Sequence, residues 1–180
     1  LLARIERCTD ESDVTDILRV LSANVVPDEH TSRLVLEGVK TTSFVKPMIY
    51  AIPKLISASH NDMINSLLEV FQARVMEDYE LIIPIIGSLS DMDLSPHSRK
   101  RAFELSVVSL AVCREVDVPI VLRAVILAMT ASCPLTLVHE IRKETSAISE
   151  VGVTNIIQVL SSELKINPFA GMCIASLWIT

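Results

Sequence analysis

Residues 63–76 read MINSLLEVFQARVM, and this stretch decides the fold class. Its apolar side chains recur three and four positions apart, which places them on one face of a helix. Ser59 and Asp62 precede it at the spacing of a capping box. Stripes of the same period occupy residues 14–25 and 153–164. These patterns predict one-sided amphipathic helices along most of the chain.

The composition fits a helical protein with a large core. Half of the 180 residues are hydrophobic, only 4 are glycine, and no Asn-Gly or Asp-Gly pair is present to form a tight hairpin. A chain of this length can bury about 70% of its unfolded surface. A mixed α/β fold is the alternative, with buried strands over residues 82–86 and 118–121.

Proline positions predict helix boundaries, because proline is tolerated in the first helical turn and disrupts the interior. Pro53 and Pro84 lie inside the apolar runs 44–56 and 81–89, so each implies a kink or a break. The predicted helix starts are Ser95-Pro96, Pro119, Pro134 and Asn167-Pro168.

Proline spacing also indicates a repeat. Pro47, Pro84 and Pro119 are 37 and 35 residues apart, about the length of a helix-turn-helix unit. Residues 102–112 and 120–129 are apolar nearly all round, as expected for helices packed between neighbours. We therefore predict an all-α fold: an irregular, HEAT/armadillo-like α-solenoid of stacked antiparallel helix pairs, continuous over residues 1–180. A compact all-α domain is the alternative.

Charge and cysteine usage restrict the class of protein. The net charge of −6 argues against an autonomous DNA-binding domain. Four separated cysteines without a CxxC pair indicate reduced thiols of an intracellular protein. The longest apolar stretch, residues 118–131, is too short for a membrane span and contains Arg123, so we expect a soluble protein. Because the chain begins with Leu1 and ends in an apolar run, we expect a piece of a longer protein.

Catalytic signatures are absent from the sequence. There is no glycine-rich phosphate loop, and HEIRK at residues 139–143 has Lys143 where a zinc helix needs a second histidine. Carboxylates at 77–80 and 91–93 could form acid–base or metal sites, although inter-helix turns are the favoured interpretation. We expect no enzyme activity, no cofactor, no metal and no small-molecule substrate.

The basic run Arg99, Lys100 and Arg101 is the candidate site. It could contact phosphate or a partner, or act in nuclear import, and an ordinary solvated helix face is the favoured alternative. Ser95-Pro96 resembles a proline-directed phosphorylation site, but a role as the N-cap explains it equally well.

Several blocks resemble, in order and approximate spacing, the N-terminal helical arm of the Fanconi anaemia group D2 family. They are IPKLI (52–56), MINSLLE (63–69), YELIIPIIGSL (79–89), VDVPIVLRAVILAMT (116–130) and VHEIRKE (138–144). The resemblance covers residues 45–144 well and the flanks weakly. Low aromatic content and no polar insertion after Glu144 mark a distant member.

This resemblance implies a nuclear, non-catalytic scaffold that repairs DNA interstrand crosslinks. Family members form a heterodimer with the related group I protein, and the pair encloses duplex DNA as a clamp that one ubiquitin locks. DNA contact would come from the whole assembly rather than from this segment. The modified lysine belongs to a region beyond this segment, so no functional residue is transferred. A generic HEAT/armadillo-like adaptor is the alternative.

Overall fold

The computed structural model describes residues 2–57 and 61–128, which form eight α-helices and no strand. The helices are α1 (Leu2–Ile5), α2 (Glu11–Asn24), α3 (Glu29–Thr41), α4 (Val45–Leu55), α5 (Asn61–Glu77), α6 (Ile82–Ser90), α7 (Pro96–Val112) and α8 (Val118–Ala128). Short 3₁₀ turns at Tyr79–Leu81 and Glu115–Asp117 precede α6 and α8. The all-α prediction is confirmed over these residues, and residues 82–86 and 118–121 are helical.

Some predictions lie outside the described residues. They are the helix over 153–164, the starts at Pro134 and Asn167-Pro168, the HEIRK segment and the Ser59 part of the capping box. None of the described helices has the length and apolar character that crossing a lipid bilayer requires.

Side-chain caps begin three of the helices. Asp10 accepts a hydrogen bond from the backbone N–H of Asp13 at the start of α2, and Asp28 accepts one from Thr31 at the start of α3. The second bond holds the pKa of Asp28 below its usual value. Ser95 caps α7 with Pro96 at the first helical position, as predicted. Each cap satisfies a backbone donor that the first turn leaves without an acceptor.

The prolines within the described helices lie near helix ends. Pro47, Pro84 and Pro119 occupy the first turns of α4, α6 and α8, where the missing N–H removes no intrahelical bond. The chain does not break at Pro84 itself, because α6 begins two residues earlier, after a 3₁₀ turn, and continues through Pro84. Pro53 lies in the last turn of α4, which ends two residues later at Leu55.

Alternate helices pack against each other, so the chain builds two rows. Row A contains α2, α4, α6 and α8, and row B contains α3, α5 and α7, each helix contacting the next in its row. The rows meet through contacts of α3 with α4, α6 with α7 and α7 with α8. The three prolines spaced by 37 and 35 residues all begin helices of row A. The helices are thus repeat-like in both sequence and packing.

One apolar cluster lies between the rows. It extends from Ile5 to Val125 and includes fully buried Met48, Phe71 and Leu122. Residues 102–110 of α7 are mostly buried, as their composition predicted, although Val108 is 43% exposed. The same prediction for residues 120–129 is wrong at Ile120, which is 51% exposed, and the burial of residues 126–129 lies outside the description.

A polar link joins two helices of row B. The guanidinium of Arg74 on α5 donates to the backbone carbonyls of Val39 (3.3 Å) and Lys40 (2.7 Å) near the end of α3. The last carbonyls of a helix have no intrahelical donor, so Arg74 caps α3 from its neighbour.

Replacing Arg74 with alanine is expected to lower the free energy of unfolding by about 1–2 kcal/mol, because it leaves two carbonyls without their charged donor. Urea denaturation measures the change. Arg33→Ala is the matched control, because Arg33 is exposed and pairs with Glu29 on the same helix, so its loss should cost less than about 0.5 kcal/mol. Equal effects of the two substitutions would contradict the capping role.

Candidate interaction surfaces

The N-terminal edge of row A carries residues of alternating charge, which we call the charge ladder. Its members are Glu11, Lys46, Glu80 and Arg114, one at or just before the start of each row A helix and 35, 34 and 34 residues apart. The Lys46 ammonium donates to the Glu80 carboxylate at 2.8 Å. The Arg114 Nε donates to Asp117 at 2.7 Å. The members of the charge ladder therefore recur with the same spacing as the helices of row A.

Neighbouring ladder charges stabilise each other's ionised forms. The hydrogen bond with Glu80 raises the pKa of Lys46 and lowers that of Glu80, and Glu11 and Arg114 add smaller effects of the same sign. Asp117 raises the pKa of Arg114, whose guanidinium also lies 5.8 Å from the Tyr79 ring centre. The side chains of Lys46, Glu80 and Arg114 are 38%, 50% and 51% exposed, so water screens the attraction and the ladder adds little stability.

The structure places Arg99, Lys100 and Arg101 in the first turns of α7, each with its own partner. Arg99 donates to the carbonyl of Leu94 at 3.2 Å, and Lys100 lies 3.8 Å from the Glu104 carboxylate. Arg101 reaches across to α5, where it donates to Asn65 Oδ1 at 3.0 Å and lies 3.7 Å from Glu69. Lys100 is the most exposed of the three, and Arg101 holds two row B helices together.

Reversing the charge of single residues in the basic run is therefore expected to distinguish Arg101, which stabilises the fold, from Lys100, which is exposed. Arg101→Glu should lower the free energy of unfolding by about 1 kcal/mol, since it removes the bond to Asn65 and places a carboxylate near Glu69. Lys100→Glu, the matched control, should change stability by less than about 0.5 kcal/mol. Urea denaturation gives both values.

Duplex DNA binding by the folded Lys100→Glu variant then tests the phosphate role. If Lys100 contacts phosphate, the affinity and its salt dependence both decrease. Unchanged binding would leave Lys100 as a solvated side chain of α7.

A groove lies between α2 and α4, with a volume of about 550 Å³. We call it the α2–α4 groove. Buried Leu18, Pro47 and Ala51 are among the residues that line it. Tyr50 and Lys54 of α4 also line it and are exposed, as is Arg19 on α2. The groove combines apolar surface with an exposed aromatic ring and cations, features common at sites that bind other proteins.

Tyr50 and Lys54 were not predicted as binding residues, although the sequence carries a signal for them. Lys46, Tyr50 and Lys54 are four residues apart, so they lie on one face of α4. The adjacent positions Met48, Ile49, Ala51 and Ile52 are buried. A helical projection of residues 45–55 would have separated this basic and aromatic stripe from the core face.

Reactive groups in the described residues do not converge on a chemical centre. No group of three or more histidine, cysteine or carboxylate side chains there is placed to hold a metal ion. Asp78 caps the 3₁₀ turn before α6, and residues 91–95 form the predicted inter-helix turn. Cys8 and Cys113 are free thiols, and Cys133 and Cys173 lie outside the described residues.

The thiol of Cys113 is expected to react slowly. Burial, with a further contribution from Asp117, raises its pKa to about 11, so at pH 8 about one thiol in a thousand is ionised. Alkylation by iodoacetamide, followed for the Cys113 peptide by mass spectrometry, should accelerate about tenfold per pH unit up to that pKa. The chain unfolded in guanidinium is the control and should react faster at pH 8. Equal rates in the two states would contradict the raised pKa.

No family model, no curated protein and no solved structure matches this chain.

Proposed function

We propose that the chain is part of an irregular α-solenoid that acts as a non-catalytic scaffold for other macromolecules. The observation that carries this proposal is the recurrence of one packing unit, with prolines in the first turns of α4, α6 and α8 and each row A helix contacting the next. In a solenoid each unit buries its apolar faces against its neighbours, which leaves a long surface for partners. The contacts between the two rows, the charge ladder and the α2–α4 groove are all consistent with a scaffold that binds other macromolecules.

We further propose a role in the nucleus, as a segment of a DNA interstrand-crosslink repair protein of the Fanconi anaemia group D2 kind. The support is the ordered set of sequence blocks. Two of them, YELIIPIIGSL and VDVPIVLRAVILAMT, cover the 3₁₀ turns and the starts of α6 and α8, equivalent positions in successive units. In this role the segment pairs with a group I-like protein within a ubiquitin-regulated clamp around duplex DNA.

The net charge of −6 supports assigning DNA contact to the whole assembly rather than to this segment. Glu69 and Glu104 lie beside the basic run and reduce its local positive potential. The partner protein is therefore the primary ligand in this proposal.

A generic protein-interaction adaptor is the second candidate, and the α2–α4 groove favours it. An apolar groove with an exposed tyrosine on its wall suits a protein ligand whether or not the protein acts in DNA repair. The two candidates differ in the identity of the partner.

The repair proposal predicts that the folded chain co-elutes with a purified group I-like protein in size-exclusion chromatography. Circular dichroism first establishes that the sample is helical. A control partner, an unrelated α-solenoid protein of similar size, should elute separately. A folded, helical chain that elutes apart from the group I-like protein would contradict the heterodimer and favour the adaptor.

A further inference from the structure

We propose that the α2–α4 groove binds a short peptide segment of another protein, one that carries a large apolar side chain next to a carboxylate. This inference deepens the proposed scaffold function and rests on it. It names the chemistry of a ligand for one surface of row A, without requiring that the ligand belong to a repair complex.

The dimensions of the groove suit an extended peptide. Its lining on α2 runs from Glu11 to Ala23, about 18 Å at 1.5 Å per residue. An extended chain of about five residues covers that length. Leu18, Pro47 and Ala51 offer the buried apolar surface against which a large side chain of such a peptide can pack.

Tyr50 provides an aromatic ring that no other described residue contacts through a hydrogen bond or a ring contact. Its side chain is 62% exposed. Tyr79, which is also exposed, has the Arg114 guanidinium near its ring. Tyrosine presents a rigid apolar ring with a polar tip and is enriched among the residues that dominate binding energy at interfaces. Tyr50 is therefore the anchor for an apolar side chain.

Lys54 provides the charge that selects a carboxylate. The other described lysines each lie within 4 Å of a carboxylate, namely Lys40 with Glu37, Lys46 with Glu80 and Lys100 with Glu104. Lys54 has no such partner in that part of the chain, and it is one helical turn from Tyr50. Across the groove, Arg19 adds a second cation, 3.0 Å from Asp16. A peptide carboxylate at this end would pair with Lys54.

The charge distribution favours a peptide over a nucleic acid. Glu11 lies at the other end of the groove lining, so a phosphate backbone laid along the groove would meet a carboxylate. Phosphates also gain nothing from the apolar residues between the two ends. A peptide with separate apolar and acidic groups matches both features.

The test begins with selection from a phage-displayed library of random peptides about nine residues long, using the complete chain as bait. We expect the enriched peptides to combine acidic residues with leucine, phenylalanine or similar side chains. Each enriched peptide is then synthesised with a fluorophore, and its affinity is measured by fluorescence polarisation.

Two groove variants decide the location of binding. Tyr50→Ala and Lys54→Glu should each weaken the peptide at least tenfold, with helical circular dichroism unchanged. Matched controls outside the groove, Tyr79→Ala and Lys40→Glu, should bind as the parent chain does. Tyr50→Phe should restore most of the affinity, since the anchor role needs the ring more than the hydroxyl.

Enriched peptides that are basic would overturn the proposal, as would peptides that bind the groove variants and the parent chain equally, or the absence of enrichment by the folded chain. A fluorescent DNA duplex whose binding depends on Lys54 and Tyr50 would also overturn it, in favour of a phosphate ligand. If the chain binds no peptide in the groove but co-elutes with a group I-like protein, the groove proposal is rejected and the repair scaffold is retained. If peptide binding depends on the groove residues but the chain does not co-elute with a group I-like protein, the repair proposal is rejected and the groove proposal is retained.

Discussion

Helix α4 buries apolar side chains against α2, α3 and α6 at the same time, and the arrangement of the other helices depends on that burial. Met48, Ile49, Ile52 and Leu55 have no exposed surface, so water is excluded from a broad arc of the helix. Full burial of one such side chain contributes about 1.5–3 kcal/mol. With so much of its circumference covered, α4 has one narrow face left for solvent. Lys46, Tyr50 and Lys54 occupy that face, and the last two also line the α2–α4 groove.

Local features of the fold could be predicted from the sequence because they depend on neighbouring residues. The apolar period of residues 63–76 determines a helix, and Ser95-Pro96 determines where one begins, since caps act within a single turn. The position of a proline within its helix could not be predicted in the same way. Pro84 lies in the first turn of one helix and Pro53 in the last turn of another, and the proline itself does not encode which end it occupies.

Features that join distant residues could not be predicted in the same way. The bonds of Arg74 to the end of α3 and of Arg101 to Asn65 connect residues about 35 positions apart, and no local pattern identifies such partners. The groove likewise requires α2 and α4 to be neighbours, which follows only from the row arrangement. Apolar patterns that bury one face of a helix recur in stacked-helix proteins with many different functions. The family resemblance is therefore stronger evidence for the architecture than for the identity of the partner.

The charge ladder has a consequence for how such a chain can change length. Because Glu11, Lys46, Glu80 and Arg114 alternate in sign from one unit to the next, removing a single helix pair would bring two like charges side by side at the new junction. Loss of α4 and α5, for example, would place Glu11 next to Glu80. Removing two pairs would restore opposite charges. The alternation of charge along this edge therefore survives only the gain or loss of units in even numbers, and because water screens these charges the difference in stability is small.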